Sequence, residues 1–199
     1  MIDKKKFKRK KRFNFLNRLD KIFTGTTSYI KYIGFNMQIY LRNKQLYFYN
    51  FKIKCSIGKK GLSSNKKEGD LRTPRGIFKF TFLMYREDKI KKISSKLKKI
   101  KIKKNMGCCD DPASKYYNKM IKFPFKESAE KLYLSKNIYD LILAINFNTN
   151  PVVKGKGSAI FLHIAEKKFK PTKGCLAIKR SDFIKILPFI TKKTSLIIY

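Results

Sequence analysis

Tryptophan is absent, histidine occurs once, and 13 acidic residues face 49 Lys plus Arg, giving a formal net charge of +36. One histidine and four cysteines without a CxxC pair exclude a Cys/His zinc site of ordinary spacing. Cys55, Cys108, Cys109 and Cys175 are also too few and too irregular for a disulfide scaffold. No metal or cofactor is expected. Long hydrophobic runs are missing as well. Residues 22–41 are moderately apolar, but Thr24, Thr26, Thr27, Ser28, Asn36 and Gln38 make them too polar to span a bilayer. The start, MIDKKKFKRKKRF, is basic, yet no apolar run of roughly 7–15 residues follows, so no secretory signal is recognisable. Arginine supplies only 8 of the 49 cations. Base-edge readout and bidentate phosphate contacts favour Arg over Lys, so nucleic acid is disfavoured as a partner. The same bias toward Lys, Ile, Asn, Phe and Tyr is what an AT-rich coding sequence imposes. An anionic wall polymer or membrane surface would still be attracted, in a salt-dependent way, through the basic block Lys4 to Arg12.

What is present suits one folded domain. The chain has 199 residues, of which 43% are hydrophobic and 14% aromatic, enough to bury a core without staples. Residues 1–35 read as a basic, loosely structured extension, and residues 36–199 as the domain. Gln38 to Leu41 and Gln45 to Ile57, broken by Arg42-Asn43-Lys44, read as a β-hairpin. Gly58 to Gly76 holds four glycines and a proline and reads as a long structured loop. Ile77 to Met84 reads as a strand. Lys89 to Lys104 mixes helical spacing with terminal alternation. Asn105 to Asn118 reads as loop and Glu127 to Leu134 as a short helix. Ile138 to Asn146 and Ser158 to Ala165 read as buried strands, with turn-like sequence between them. Ser181 is placed to cap a helix bearing Phe183, Ile186, Leu187 and Ile190 on one face, and Ser195 to Tyr199 closes as a strand. The expectation is a mainly β domain with one or two short helices.

The chemistry concentrates on two residues. His163 lies in Ser158-Ala-Ile-Phe-Leu-His-Ile, where Phe161 and His163 share one face and Ile160, Leu162 and Ile164 the other. Cys175 follows Gly174, whose missing side chain permits a close turn that can gather backbone N–H groups. An imidazole beside a thiol stabilises the thiolate and lowers its pKa, and the cationic surroundings push the same way. The thiolate then attacks a carbonyl and the imidazolium protonates the leaving amine. Cys55 reads as a buried hydrophobe and Cys109 as structural.

Taken together, Glu68-Gly69-Asp70-Leu-Arg-Thr73-Pro74-Arg-Gly76, Cys109-Asp110-Asp111-Pro112, Tyr117-Asn118, Gly157 to His163 and Pro171-Thr172-Lys173-Gly174-Cys175 resemble the L,D-transpeptidase family, the YkuD-like catalytic domain. The resemblance implies a YkuD-like β-sandwich. It implies a cysteine acyltransferase on peptidoglycan stem peptides, forming 3→3 cross-links or hydrolysing the donor as an L,D-carboxypeptidase, in the bacterial cell envelope or periplasm. By that resemblance Cys175 is the nucleophile and His163 the base, with the Ile164 carbonyl orienting the imidazole. Gly174 and Cys175 N–H groups are oxyanion donors and Thr172 is the small hydroxyl residue before them. Asp110, Asp111 and Lys179 are candidate substrate contacts. Three positions depart from the family pattern: Ile164 stands where Gly is widespread, Ala177 where Arg is, and Cys108 where the nearest branch has Trp. Lys179 or Arg180 is placed to replace that Arg. The competing reading is a catalytically silent basic module for wall polymer or nucleic acid. Glu68 and Asp70 are expected to shape the glycine-rich loop through backbone N–H groups.

Overall fold

The computed structural model describes residues 37–199; the readings for residues 1–35, including the Lys4 to Arg12 block, lie outside them. Fourteen strands carry the fold: β1 (Gln38–Arg42), β2 (Gln45–Phe48), β3 (Phe51–Ser56), β4 (Leu62–Ser63), β5 (Thr73–Pro74), β6 (Gly76–Tyr85), β7 (Lys98–Lys101), β8 (Met106–Cys109), β9 (Met120–Lys122), β10 (Ala129–Lys131), β11 (Leu141–Ile145), β12 (Phe161–Ile164), β13 (Leu176–Ile178) and β14 (Ser195–Ile198). One α-helix, α1 (Arg180–Ile186), and three short 3-10 turns complete the described residues. The domain is mainly β, as its composition and alternation lead one to expect.

Nine strands form one sheet in the order β11-β12-β13-β3-β2-β1-β14-β6-β7, and β11 also pairs with β6. The sheet therefore closes on itself, with β3 and β6 continuing from one face to the other. A register shift in the β6–β11 pairing gives β6 the local bend that this requires. Inside lie Ile39, Leu41 and Leu46 from one face, and Leu143, Leu162, Leu176 and Ile178 from the other. Phe183, Ile186, Leu187 and Ile190 cap them, all at most 1% exposed. Leu143 is fully buried there. Leu143→Ala is expected to cost about 2–5 kcal/mol, read as a lowered urea midpoint with an unchanged slope.

Several local readings change. The run from Gln45 to Ile57 is two strands, because Tyr49 takes a left-handed φ of 52° and turns the chain. The Asn43-Lys44 turn, with φ of 49° and 56°, matches the twist of paired strands. The Gly58 to Gly76 loop contains the parallel pair β4–β5. Lys89 to Lys104 forms no helix. Ile90, Leu97 and Ile102 are buried, and β7 pairs parallel with β6. Its lysines Lys98, Lys99 and Lys101 are exposed, a charge pattern that protects a sheet edge from further pairing.

Cys108-Cys109 belongs to a strand rather than a loop, and Ala129–Lys131 is a strand rather than a helix. β8 takes β10 on one side and β9 on the other, and that pairing overrides local helical spacing. Ser181 sits inside α1; Lys179 precedes the helix without a side-chain cap.

Candidate functional site

The parallel pair β12–β13 builds the site. Its register joins Leu162 to Leu176 and His163 to Ala177. Alternation sends Leu162 and Leu176 into the main core, and Phe161 and Cys175 to a second cluster with Cys108, Tyr139, Ile142 and Ala144. His163 shares the face of Phe161, two residues or about 7 Å along the strand. Ala177, only 1% exposed, is the small residue level with it. A strand and a turn distant in sequence thus present the sulfur and the imidazole on one face. The Phe161 N–H donates to Cys175 Sγ at 3.3 Å.

Cys175 is held by a turn that the Thr172 hydroxyl braces. The Thr172 hydroxyl donates to the Cys175 carbonyl at 2.5 Å and accepts the Gly174 N–H at 3.1 Å. The Gly174 N–H is therefore committed to Thr172, unlike the oxyanion role expected of it. Thr73 ties this turn to the glycine-rich loop. Its fully buried hydroxyl donates to the Gly174 carbonyl at 2.7 Å and accepts the Gly58 N–H at 2.8 Å. Thr73→Val keeps the shape and leaves both backbone groups buried without that partner. It is expected to cost about 1–3 kcal/mol, measured as a fall in thermal midpoint, with slower chemistry at Cys175.

The loop itself is shaped as its acidic residues suggest. Asp70 accepts the Lys67 and Arg72 N–H groups at 3.0 and 2.8 Å and the Lys66 ammonium at 2.6 Å. Glu68 accepts the Tyr117 hydroxyl, the Ser158 hydroxyl at 2.7 Å and the Gly69 N–H at 3.1 Å. The loop is thereby stitched to the segment leading into β12.

Among the four cysteines, Cys55, Cys108 and Cys109 are buried and Cys175 alone is half-buried. Burial pushes the Cys175 thiol up to about 12, and the Glu130 carboxylate adds to this, against the Phe161 N–H and the Lys66 charge. Burial also holds His163 below the ordinary imidazole value. The pair is thus thiol and neutral imidazole at pH 7. Burial, with the Glu130 carboxylate, thus opposes the lowering expected from the imidazole and the cationic surroundings. His163 Nδ1 lies 2.9 Å from the Ile164 carbonyl. That partner accepts only, so Nδ1 carries the proton and Nε2 is the ring's acceptor.

The other expected contacts disperse. Asp110 accepts the Ser128 hydroxyl at 2.6 Å, and Asp111 caps its own turn through the Ala113 N–H at 2.8 Å. Lys179 is exposed at the start of α1. Arg180 is engaged by the buried Asp140 at 3.6 Å, which also pairs with Lys89 at 3.1 Å. Glu130 and Tyr139, beside Cys175 and His163, carried no sequence signal of their own. Among the described residues no group of three His, Cys, Asp or Glu side chains is arranged to hold a metal.

The described residues thus set a thiol after a glycine turn and a strand imidazole on one face of a mainly β domain. Residues 34–198 match the family model of the L,D-transpeptidase catalytic domain, YkuD, and the chain belongs to that family. Among solved structures, Bd1075 of Bdellovibrio bacteriovorus aligns with a TM-score of 0.41 and 14% identity over 82% of this chain and 48% of that chain. The chain thus spans about half the length of that protein. No curated protein matches the sequence.

Proposed function

We propose that the protein is an L,D-transpeptidase acting on peptidoglycan stem peptides in the bacterial envelope, with Cys175 as nucleophile and His163 as base. The observation that carries this is the only cysteine with solvent access standing on the same sheet face as the only histidine. In the attack, Sγ bonds to the carbonyl carbon of the donor's L-centred third residue while its proton passes to His163 Nε2. The tetrahedral oxygen falls to the Cys175 N–H. Collapse expels the terminal D-residue, whose nitrogen takes the proton from the imidazolium, leaving a thioester. An acceptor amine, or water, then attacks the thioester and returns the thiol, completing a 3→3 cross-link or a carboxypeptidase cycle. Because both partners start neutral, His163 must take the proton as the C–S bond forms.

The test is intact mass measurement after incubation with a stem tetrapeptide or a carbapenem, followed by peptide mapping. One adduct on the peptide containing Cys175 is expected. An unchanged mass with both reagents, alongside salt-sensitive polyanion binding, would favour the silent basic module instead.

A further inference from the structure

One hydrogen-bond contact, between Nδ1 and the Ile164 carbonyl, ties the buried His163 ring. Tyr139 adds a second restraint. Its ring meets the imidazole with centroids 5.3 Å apart and planes crossed at 87°, the edge-to-face geometry that aromatic rings prefer. Tyr139 is 5% exposed, and its hydroxyl donates to Glu130 Oε1 at 2.7 Å. It ends the 3-10 turn Asn137–Tyr139. The next residue, Asp140, is fully buried between Lys89 and Arg180. Glu130 comes from a different element, β10, opposite Cys108. Two independently anchored elements therefore meet at the Tyr139 hydroxyl, and Tyr139 packs in the same cluster as Phe161, Cys108 and Cys175.

We propose that Tyr139, held in place by Glu130, is a positioning residue for the Cys175–His163 pair, fixing the imidazole plane so that Nε2 faces the thiol proton. This rests on the reading of Cys175 and His163 as the reacting pair. The arrangement has an electrostatic side. The charged and titratable groups that act on Cys175 are Glu130 on β10, Lys66 in the glycine-rich loop, Tyr139 at the end of its 3-10 turn and Cys108 on β8. Glu130 opposes thiolate formation and Lys66 favours it. The carboxylate that steadies the phenol therefore also adds to the burial that disfavours the thiolate.

The experiment compares the full chain with Tyr139→Leu, Tyr139→Phe and Glu130→Gln. Each is assayed for carbapenem acylation by intact mass and for Cys175 alkylation by iodoacetamide across pH. Alkylation at pH 10 needs an accessible sulfur and no protein base, whereas acylation needs the imidazole in position. Tyr139→Leu is expected to lose acylation by on the order of 10²-fold while its alkylation at pH 10 stays at the wild-type rate. Tyr139→Phe, which restores the ring, recovers most of the acylation. Glu130→Gln still accepts the phenol bond but lacks the charge, so its alkylation profile moves to lower pH. Acylation by Tyr139→Leu at the wild-type rate, or an equal loss of acylation and alkylation, overturns the proposal. So does a failure of Tyr139→Phe to recover acylation, which does not depend on the leucine variant folding. A wild type that alkylates but never acylates overturns the acyl-enzyme reading and this proposal with it.

Discussion

Cys175→Ala is expected to abolish the adduct and reduce acyl transfer by about 10⁴-fold or more, with the melting temperature nearly unchanged. On the proposed mechanism the sulfur holds the acyl group, and alanine fills much of the same half-buried space. Intact mass and turnover of a stem tetrapeptide measure the loss. His163→Ala is expected to be nearly as damaging at neutral pH. With the thiol pushed up to about 12, only about one molecule in 10⁵ would carry a thiolate at pH 7 without help. The deficit of His163→Ala should therefore shrink as pH rises, while that of Cys175→Ala stays constant. A His163→Ala enzyme with the wild-type rate at pH 7 would remove the imidazole from the mechanism.

Gly174→Ala is expected to slow acylation through the backbone rather than through a reacting group. The residue sits at a φ of 149°, and an added Cβ would lie 3.0 Å from the Arg72 carbonyl oxygen and 3.4 Å from Ile160 Cδ1. An L side chain at this φ is strained by about 1–3 kcal/mol. The backbone oxygen it meets belongs to the loop that Thr73 ties to this turn. Relief requires the turn to move, and a displacement of about 1 Å at a nucleophile costs on the order of 10² in rate. Acylation should fall by that factor, with a lowered thermal midpoint. Acylation at the wild-type rate would show that the turn does not set the position of the sulfur.

Much of this arrangement was legible from local pattern. The alternation Phe161-Leu162-His163-Ile164 put His163 on the correct side of β12, and the helix face from Phe183 to Ile190 was visible at helical spacing. What escaped was decided by distant partners. Cys108-Cys109 and Ala129–Lys131 become strands by pairing with each other and, for β8, with β9, and neither segment alternates strongly. The break at Tyr49 falls on a residue with no turn signature. Tyr139 and Glu130 are unremarkable in sequence. Their meaning depends on β10, a 3-10 turn and β12 converging, across separations of 9 residues between Glu130 and Tyr139 and more to His163. The thiol's burial escaped for a related reason: net charge is a property of the whole chain, whereas a buried sulfur responds to its few nearest neighbours.

The sheet also dictates an order of assembly. β14 lies between β1, to which it runs parallel, and β6, so Gln38 stands beside Ser195 and Leu41 beside Ile198. During vectorial synthesis those neighbours wait, unjoined, until residues 195–198 emerge. The turn at Cys175 is thus made before β14 arrives to complete the ring of strands around the core.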